Sequence, residues 1–126
     1  MGREFASAIG RWCHLLAPAA RPELSAICDT QPSMFEWYKS NFPSIRVATT
    51  SYRDLLASPD VDAVYCATPH NLHQEHYTAV IEAGKHLFGE KPFGIDMAAN
   101  TAILDCARKH PGSFVRCSSE FPFYPA

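Results

Sequence analysis

Three short β-like runs, Ala63-Val64-Tyr65-Cys66-Ala67, His86-Leu87-Phe88-Gly89 and Phe114-Val115-Arg116-Cys117, are separated by segments whose apolar residues return at helical spacing. This βαβαβ alternation restricts the fold more than any other feature of the chain. Parallel strands need a long crossover, usually a helix, and the crossover helices cover the faces of the sheet. An earlier run, Leu24-Ser25-Ala26-Ile27-Cys28, ends on Asp29, and a weaker one around Arg46-Val47-Ala48 adds a short edge strand. The expected class is α/β with a doubly wound parallel sheet.

The intervening segments carry helix punctuation. Asn71 is placed to cap a helix with Gln74 in the capping-box position, Leu72, Tyr77, Val80 and Ala83 supply an apolar stripe, and Gly84 stops it. Ser51 with Asp54 opens a shorter helix through Leu55 and Leu56. Asp96 opens a longer one with Ile103, Leu104 and Ala107 facing inward, ended by His110-Pro111-Gly112. Pro32 suits a first helical position ahead of Met34, Trp37, Tyr38 and Phe42, with Pro43 closing the segment. At the N-terminus Phe5, Ile9, Cys13 and Leu16 share one face of a helix that starts almost at residue 1. No repeat, linker or low-complexity tract divides the chain, so residues 1–126 read as one domain.

Composition narrows the partners. The net charge of -2 comes from interspersed signs, which gives no basic footprint for nucleic acid or an acidic membrane surface. No stretch approaches the ~18 apolar residues of a membrane span, and no signal peptide is evident. The five cysteines form no CxxC pair and are odd in number. Cys28, Cys66 and Cys117 fall in apolar runs and are expected as buried free thiols, consistent with a reducing, cytoplasmic setting.

Candidate chemistry gathers where strands end. A carboxylate at Asp29, after the second strand of a dinucleotide fold, would accept hydrogen bonds from ribose hydroxyls; equally, Asp29 serves as a turn residue before Pro32. Of a glycine-rich phosphate loop only Gly2 is present. The stretch Ala67-Thr68-Pro69-His70-Asn71-Leu72-His73 leaves a buried strand for a helix, at the edge where open α/β sheets bind ligands. His70, His73 and His76 admit a metal reading, but no carboxylate or thiol completes a set, so no metal is expected and solvated or hydrogen-bonded histidines are favoured. Glu90, Lys91 and Pro92 follow the next strand. There a lysine can stabilise developing negative charge or move a proton; the alternative is a surface ion pair in a turn.

Taken in order, Cys28-Asp29, Tyr52-Arg53-Asp54-Leu55-Leu56, Pro59 to Val64, Ala67-Thr68-Pro69 through His73, and Glu82-Ala83-Gly84-Lys85-His86 into Glu90-Lys91-Pro92 resemble the N-terminal domain of the Gfo/Idh/MocA family, the glucose-fructose oxidoreductase and inositol dehydrogenase relatives. The resemblance implies a Rossmann fold that binds NAD, with NADP possible, and an oxidoreductase acting on a sugar, polyol or diol carbon. It implies that Asp29 holds the adenosine ribose and favours NAD. Thr68, Pro69, Asn71 and His73 would line the nicotinamide side with Glu90 and Pro92, and Gly2 would lie at the phosphates. Lys91 would approach both the nicotinamide ribose and the substrate hydroxyl, a cofactor-binding residue and the catalytic one nearest the chemistry.

Two departures from the family pattern shape the expectation. The chain opens on a helix without the first, central strand, so the sheet should either close the Leu24 run onto the Ala63 run or stay open between them. After the last strand, residues 118–126 carry no arginine, and the family's α+β substrate domain with its oligomer interface does not follow. The resemblance therefore implies a truncated cofactor domain, inactive alone and weak in NADH binding. Alternatives are an NAD-dependent glycoside hydrolase of the same family and a non-catalytic binding or regulatory protein.

Overall fold

The computed structural model describes residues 1–119. In chain order these form α1 (Gly2–Ile9), a 3-10 turn (Gly10–His14), β1 (Ala26–Cys28), a 3-10 turn (Pro32–Met34), α2 (Phe35–Asn41), β2 (Val47–Thr49), α3 (Tyr52–Ala57), β3 (Ala63–Cys66), a 3-10 turn (His70–Leu72), α4 (His73–Glu82), β4 (His86–Glu90), α5 (Met97–Lys109) and β5 (Val115–Ser118). Of the C-terminal stretch without arginine, residues 120–126 lie outside the described residues. Among the described residues no helix is long and apolar enough to cross a membrane.

Every strand pairing is parallel, as the alternation of strand and helix requires, but the strands form two sheets. β1 pairs with β2, Ile27 opposite Ala48, and β3-β4-β5 form the second sheet. The Leu24 run therefore does not close onto the Ala63 run. Contacts divide the chain into two compact units, residues 1–61 and residues from Asp62 onward.

In the second unit, α4 packs against β3 and β4 and against α5. Alternation along the strands places Cys66, Leu87, Gly89 and Cys117 on the face toward α4, and Tyr65, Phe88 and Glu90 on the other. Ile81, Leu87 and Ile103 are at most 1% exposed, and burying side chains of this size contributes about 1.5–3 kcal/mol each. Gly84, at φ +71°, ends α4: its N–H donates to Ile81 and that of Lys85 to Val80, satisfying carbonyls that the last helical turn leaves open. Ser51 and Asp96 cap α3 and α5 through the N–H groups of Asp54 and Ala99.

Several sequence expectations are corrected. Asn71 does not cap α4. It lies in the 3-10 turn, and the cap position is Leu72, without a side-chain hydrogen bond. Leu104 is 47% exposed because Ala99, Ile103 and Cys106 set the buried stripe of α5, and Ala83 is exposed while Ile81 is buried. Cys28 is exposed, since it alternates to the face opposite Ile27; Cys117 is only half-buried. The N-terminal stripe ends at Ile9, because the tighter 3-10 turn from Gly10 shifts the helical phase and leaves Cys13 and Leu16 exposed.

Candidate functional site at the strand ends of the second unit

The C-terminal ends of β3 and β4 bring Thr68, Pro69, Asn71, His73, Glu90, Lys91 and Pro92 into one unit. His73, the first residue of α4, is fully buried, and its ring ties two loops together. Nδ1 lies 2.7 Å from the Pro92 carbonyl oxygen and Nε2 lies 3.0 Å from that of Thr68. The ring stacks on Tyr77 at 4.6 Å between centroids. His73 is therefore enclosed between these two loops. His76 Nδ1 meets the Thr68 hydroxyl at 3.1 Å. With these nitrogens engaged, no group of three or more metal-ligand residues converges among the described residues.

Tyr77 occupies the space that Gly89 leaves open. Its hydroxyl donates to the Glu90 carbonyl at 2.8 Å, and the ring sits over Gly89, in register with Cys66 on one side and Cys117 on the other. Burial, with smaller contributions from Cys66, Cys117 and Glu90, pushes the Tyr77 hydroxyl far up from its usual value. Burial likewise raises the Cys66 thiol against an opposing hydrogen bond from Thr68, and it raises Cys117 with help from Glu90. These thiols stay protonated and unreactive at neutral pH.

Glu90 is 8% exposed yet satisfied. Its Oε1 accepts from the Tyr65 hydroxyl at 2.5 Å and its Oε2 from the Lys91 N–H at 3.2 Å. The segment Glu90-Lys91-Pro92, with a cis bond before Pro92, is thus held at both flanking carbonyls and at its own carboxylate. The Lys91 side chain is exposed and forms no ion pair among the described residues. The lone turn ion pair weighed from the sequence is absent there.

Asp29 and Gly2 belong to the first unit. Asp29 follows β1, donates its N–H to Thr49 at 3.2 Å, and accepts the Gln31 N–H on Oδ1 at 2.8 Å. The turn role is therefore real, and among the described residues it engages Oδ1. Gly2 opens α1, where a Cβ would lie 2.7 Å from the Tyr38 hydroxyl; the glycine makes room for that hydroxyl. Burial raises the Tyr38 hydroxyl, nearby Arg3 lowers it and Asp29 raises it, so these groups share one electrostatic neighbourhood.

Sequence reasoning missed Tyr65 and Tyr77 as site residues. Tyr77 was legible only as core, and its hydroxyl was overlooked although a buried phenol needs an acceptor. Tyr65 could have been found from register: two positions beyond its strand partner Phe88, on the same face, stands Glu90.

Parallel strands, crossover helices and a polar constellation at the carboxyl ends of β3 and β4 define a dinucleotide-fold domain. The chain belongs to the Gfo/Idh/MocA oxidoreductase family, whose NAD-binding Rossmann-fold model matches residues 1–116. It is 36% identical over 89 residues to the uncharacterized oxidoreductase YrbE of Bacillus subtilis, covering 70% of this chain and 26% of that protein. It is 33% identical over 117 residues to a glycosyl hydrolase family 109 protein of Shewanella putrefaciens, covering 86% of this chain and 25% of the relative. The fold matches scyllo-inositol dehydrogenase of Lactobacillus casei, solved with NAD(H) and scyllo-inositol, at a TM-score of 0.84 and 23% identity, over 98% of this chain and 34% of that one. The chain spans about a quarter of the length of these sequence relatives.

Proposed function

We propose that this chain supplies the cofactor domain of an NAD(P)-dependent oxidoreductase acting on a hydroxyl-bearing carbon of a sugar, polyol or related diol. The observation that carries this reading is the Glu90-Lys91-Pro92 segment: the carbonyls of Glu90 and Pro92, the Glu90 carboxylate and the Lys91 N–H are all engaged, while the Lys91 side chain is exposed. Bound NAD would accept or return the hydride. Lys91 would then hold or move the hydroxyl proton and stabilise developing charge on the substrate oxygen, work worth about 10²–10⁴ in rate for a positioned acid or base. Glu90, Pro92 and His73 would fix the backbone on which Lys91 rides, with Thr68, Pro69 and Asn71 along the same edge. In the first unit Asp29 would use its second carboxylate oxygen for the adenosine ribose, with Gly2 toward the phosphates. A carboxylate there repels a 2′-phosphate, which favours NAD over NADP. The lack of paired cysteines supports a cytoplasmic setting.

In the enzyme carrying this domain, Lys91→Ala should lower kcat by about 10²-fold or more while cofactor Kd moves less than about threefold. Equal losses in both would make Lys91 a binding residue and overturn the catalytic reading. A second reading, NAD-dependent glycoside cleavage, is favoured by the match to the family 109 relative over most of this chain. It predicts turnover without net NADH, whereas the dehydrogenase reading predicts NADH formed in proportion to product.

A further inference from the structure

We propose that Tyr65 is a positioning residue for Lys91, acting through Glu90; the proposal rests on the reading of Lys91 given above. β4 ends at Glu90, opposite Ser118 of β5, so the Lys91 N–H is the first donor of this strand beyond the ladder. Its acceptor is the carboxylate of the preceding residue, at 3.2 Å, and this is the one hydrogen bond that Lys91 makes among the described residues. That contact holds the glutamate side chain back toward its own backbone, and the other carboxylate oxygen is engaged as well. The restraint is Tyr65, on the neighbouring strand, whose hydroxyl holds the other carboxylate oxygen at 2.5 Å.

The restraint is itself built into the sheet. Tyr65 pairs with Phe88 in the ladder, the two rings lie 5.7 Å apart, and Glu90 is the next residue on the same face. The carboxylate is buried, so it needs both partners, and a hydrogen bond to an ionised group is among the stronger ones. Tyr77 and His73 hold the carbonyls of Glu90 and Pro92, the residues on either side of Lys91. Removing the Tyr65 hydroxyl therefore leaves the flanks in place and frees the backbone of Lys91 itself. The consequence is selective: the sheet survives, and the angle at which Lys91 leaves it does not.

Tyr65→Phe keeps the ring on Phe88 and deletes only the hydroxyl, and Glu90→Gln removes the charge at the other end of the relay. Amide hydrogen exchange on the full chain is expected to speed up at Lys91 by tenfold or more in both variants. The Leu87 amide, which donates to Phe114 at 2.8 Å, should stay within twofold of wild type. The double variant should show no further change at Lys91. An unchanged Lys91 amide in Tyr65→Phe overturns the proposal, and so does equal acceleration at Leu87, which would make Tyr65 a packing residue only. NADH titration then reads the functional half: the shift that NADH induces at the Lys91 amide should fall at least threefold in Tyr65→Phe, while ADP-ribose shifts at Asp29 stay as in wild type. At NADH concentrations that shift the Asp29 amide, a wild-type Lys91 amide that ignores NADH overturns the reading of Lys91, and with it this functional half, whatever the exchange rates show.

Discussion

Replacing Gly89 with alanine tests the packing on which the site stands. The new Cβ would lie 2.6 Å from two ring carbons of Tyr77 and 3.0 Å from its oxygen. Tyr77 has no free side to move to: it is fully buried, stacked on His73 and in contact with Phe93. Overpacking of this kind costs about 1–3 kcal/mol. Displacing the ring also strains the Tyr77 hydroxyl bond to Glu90, worth about 0.5–1.5 kcal/mol. Against this, alanine in a strand reduces the freedom of the unfolded chain and returns about 0.4–1 kcal/mol. The net expectation is a loss of about 1–3 kcal/mol. In urea, with a slope of about 1–3 kcal/mol per molar for a small domain, the midpoint should fall by roughly 1 M at constant slope. In a Tyr77→Leu background, which vacates the ring, Gly89→Ala should cost less than it does in wild type, a coupling that a double-mutant cycle reads. A midpoint that is unchanged or raised in Gly89→Ala alone would refute the argument, because it would mean that Tyr77 does not need the space.

Further outcomes follow from the same geometry. His73→Phe keeps the stack on Tyr77 but removes the ring N–H that lies between the carbonyls of Thr68 and Pro92, so urea unfolding should show a loss of about 1–3 kcal/mol. Asp96→Ala removes a cap that accepts the Ala99 N–H at 2.8 Å and should cost about 1 kcal/mol, whereas Asn71→Ala should stay within about 0.5 kcal/mol; thermal melts of the pair compare them directly. Alkaline pH should destabilise the fold. The Tyr77 hydroxyl titrates higher in the folded chain than its usual 10.0, so above pH 10 the unfolded chain releases a proton that the folded chain keeps. Stability is then lost as pH rises, with a slope from this group approaching about 1.4 kcal/mol per pH unit, so between pH 9 and 11 the urea midpoint of wild type should fall more steeply than that of Tyr77→Phe and the gap between them should narrow.

What could be read from the sequence was whatever depends on neighbours along the chain. Period-two and helical patterns placed the five strands of the described residues, and Ser51, Asp96 and Gly84 announced helix ends whose hydrogen bonds are local. Asn71 failed because the residues after Pro69 close a 3-10 turn first, which moves the helix start past it to His73. Leu104 failed because the choice between two adjacent apolar residues is made by the facing helix, a long-range matter. At the site, the motif around Lys91 was visible as residue types in order. The groups that hold it, Tyr65, Tyr77 and His73, act across 25, 13 and 19 residues of chain, and only register and packing bring them there.

The row in which Cys66, Gly89 and Cys117 face one another across the second sheet has a chemical meaning as well as a steric one. Two strand spacings separate the sulfur-bearing residues by about 10 Å at the backbone, beyond the roughly 7 Å that a disulfide can span. The ring of Tyr77 lies over the glycine between them. An oxidant that reached this row would find protonated thiols with no partner in reach, so the sheet cannot be stapled shut by redox chemistry. While the second unit stays folded, oxidising conditions should leave this row unlinked, its stability resting on the fit of one aromatic ring.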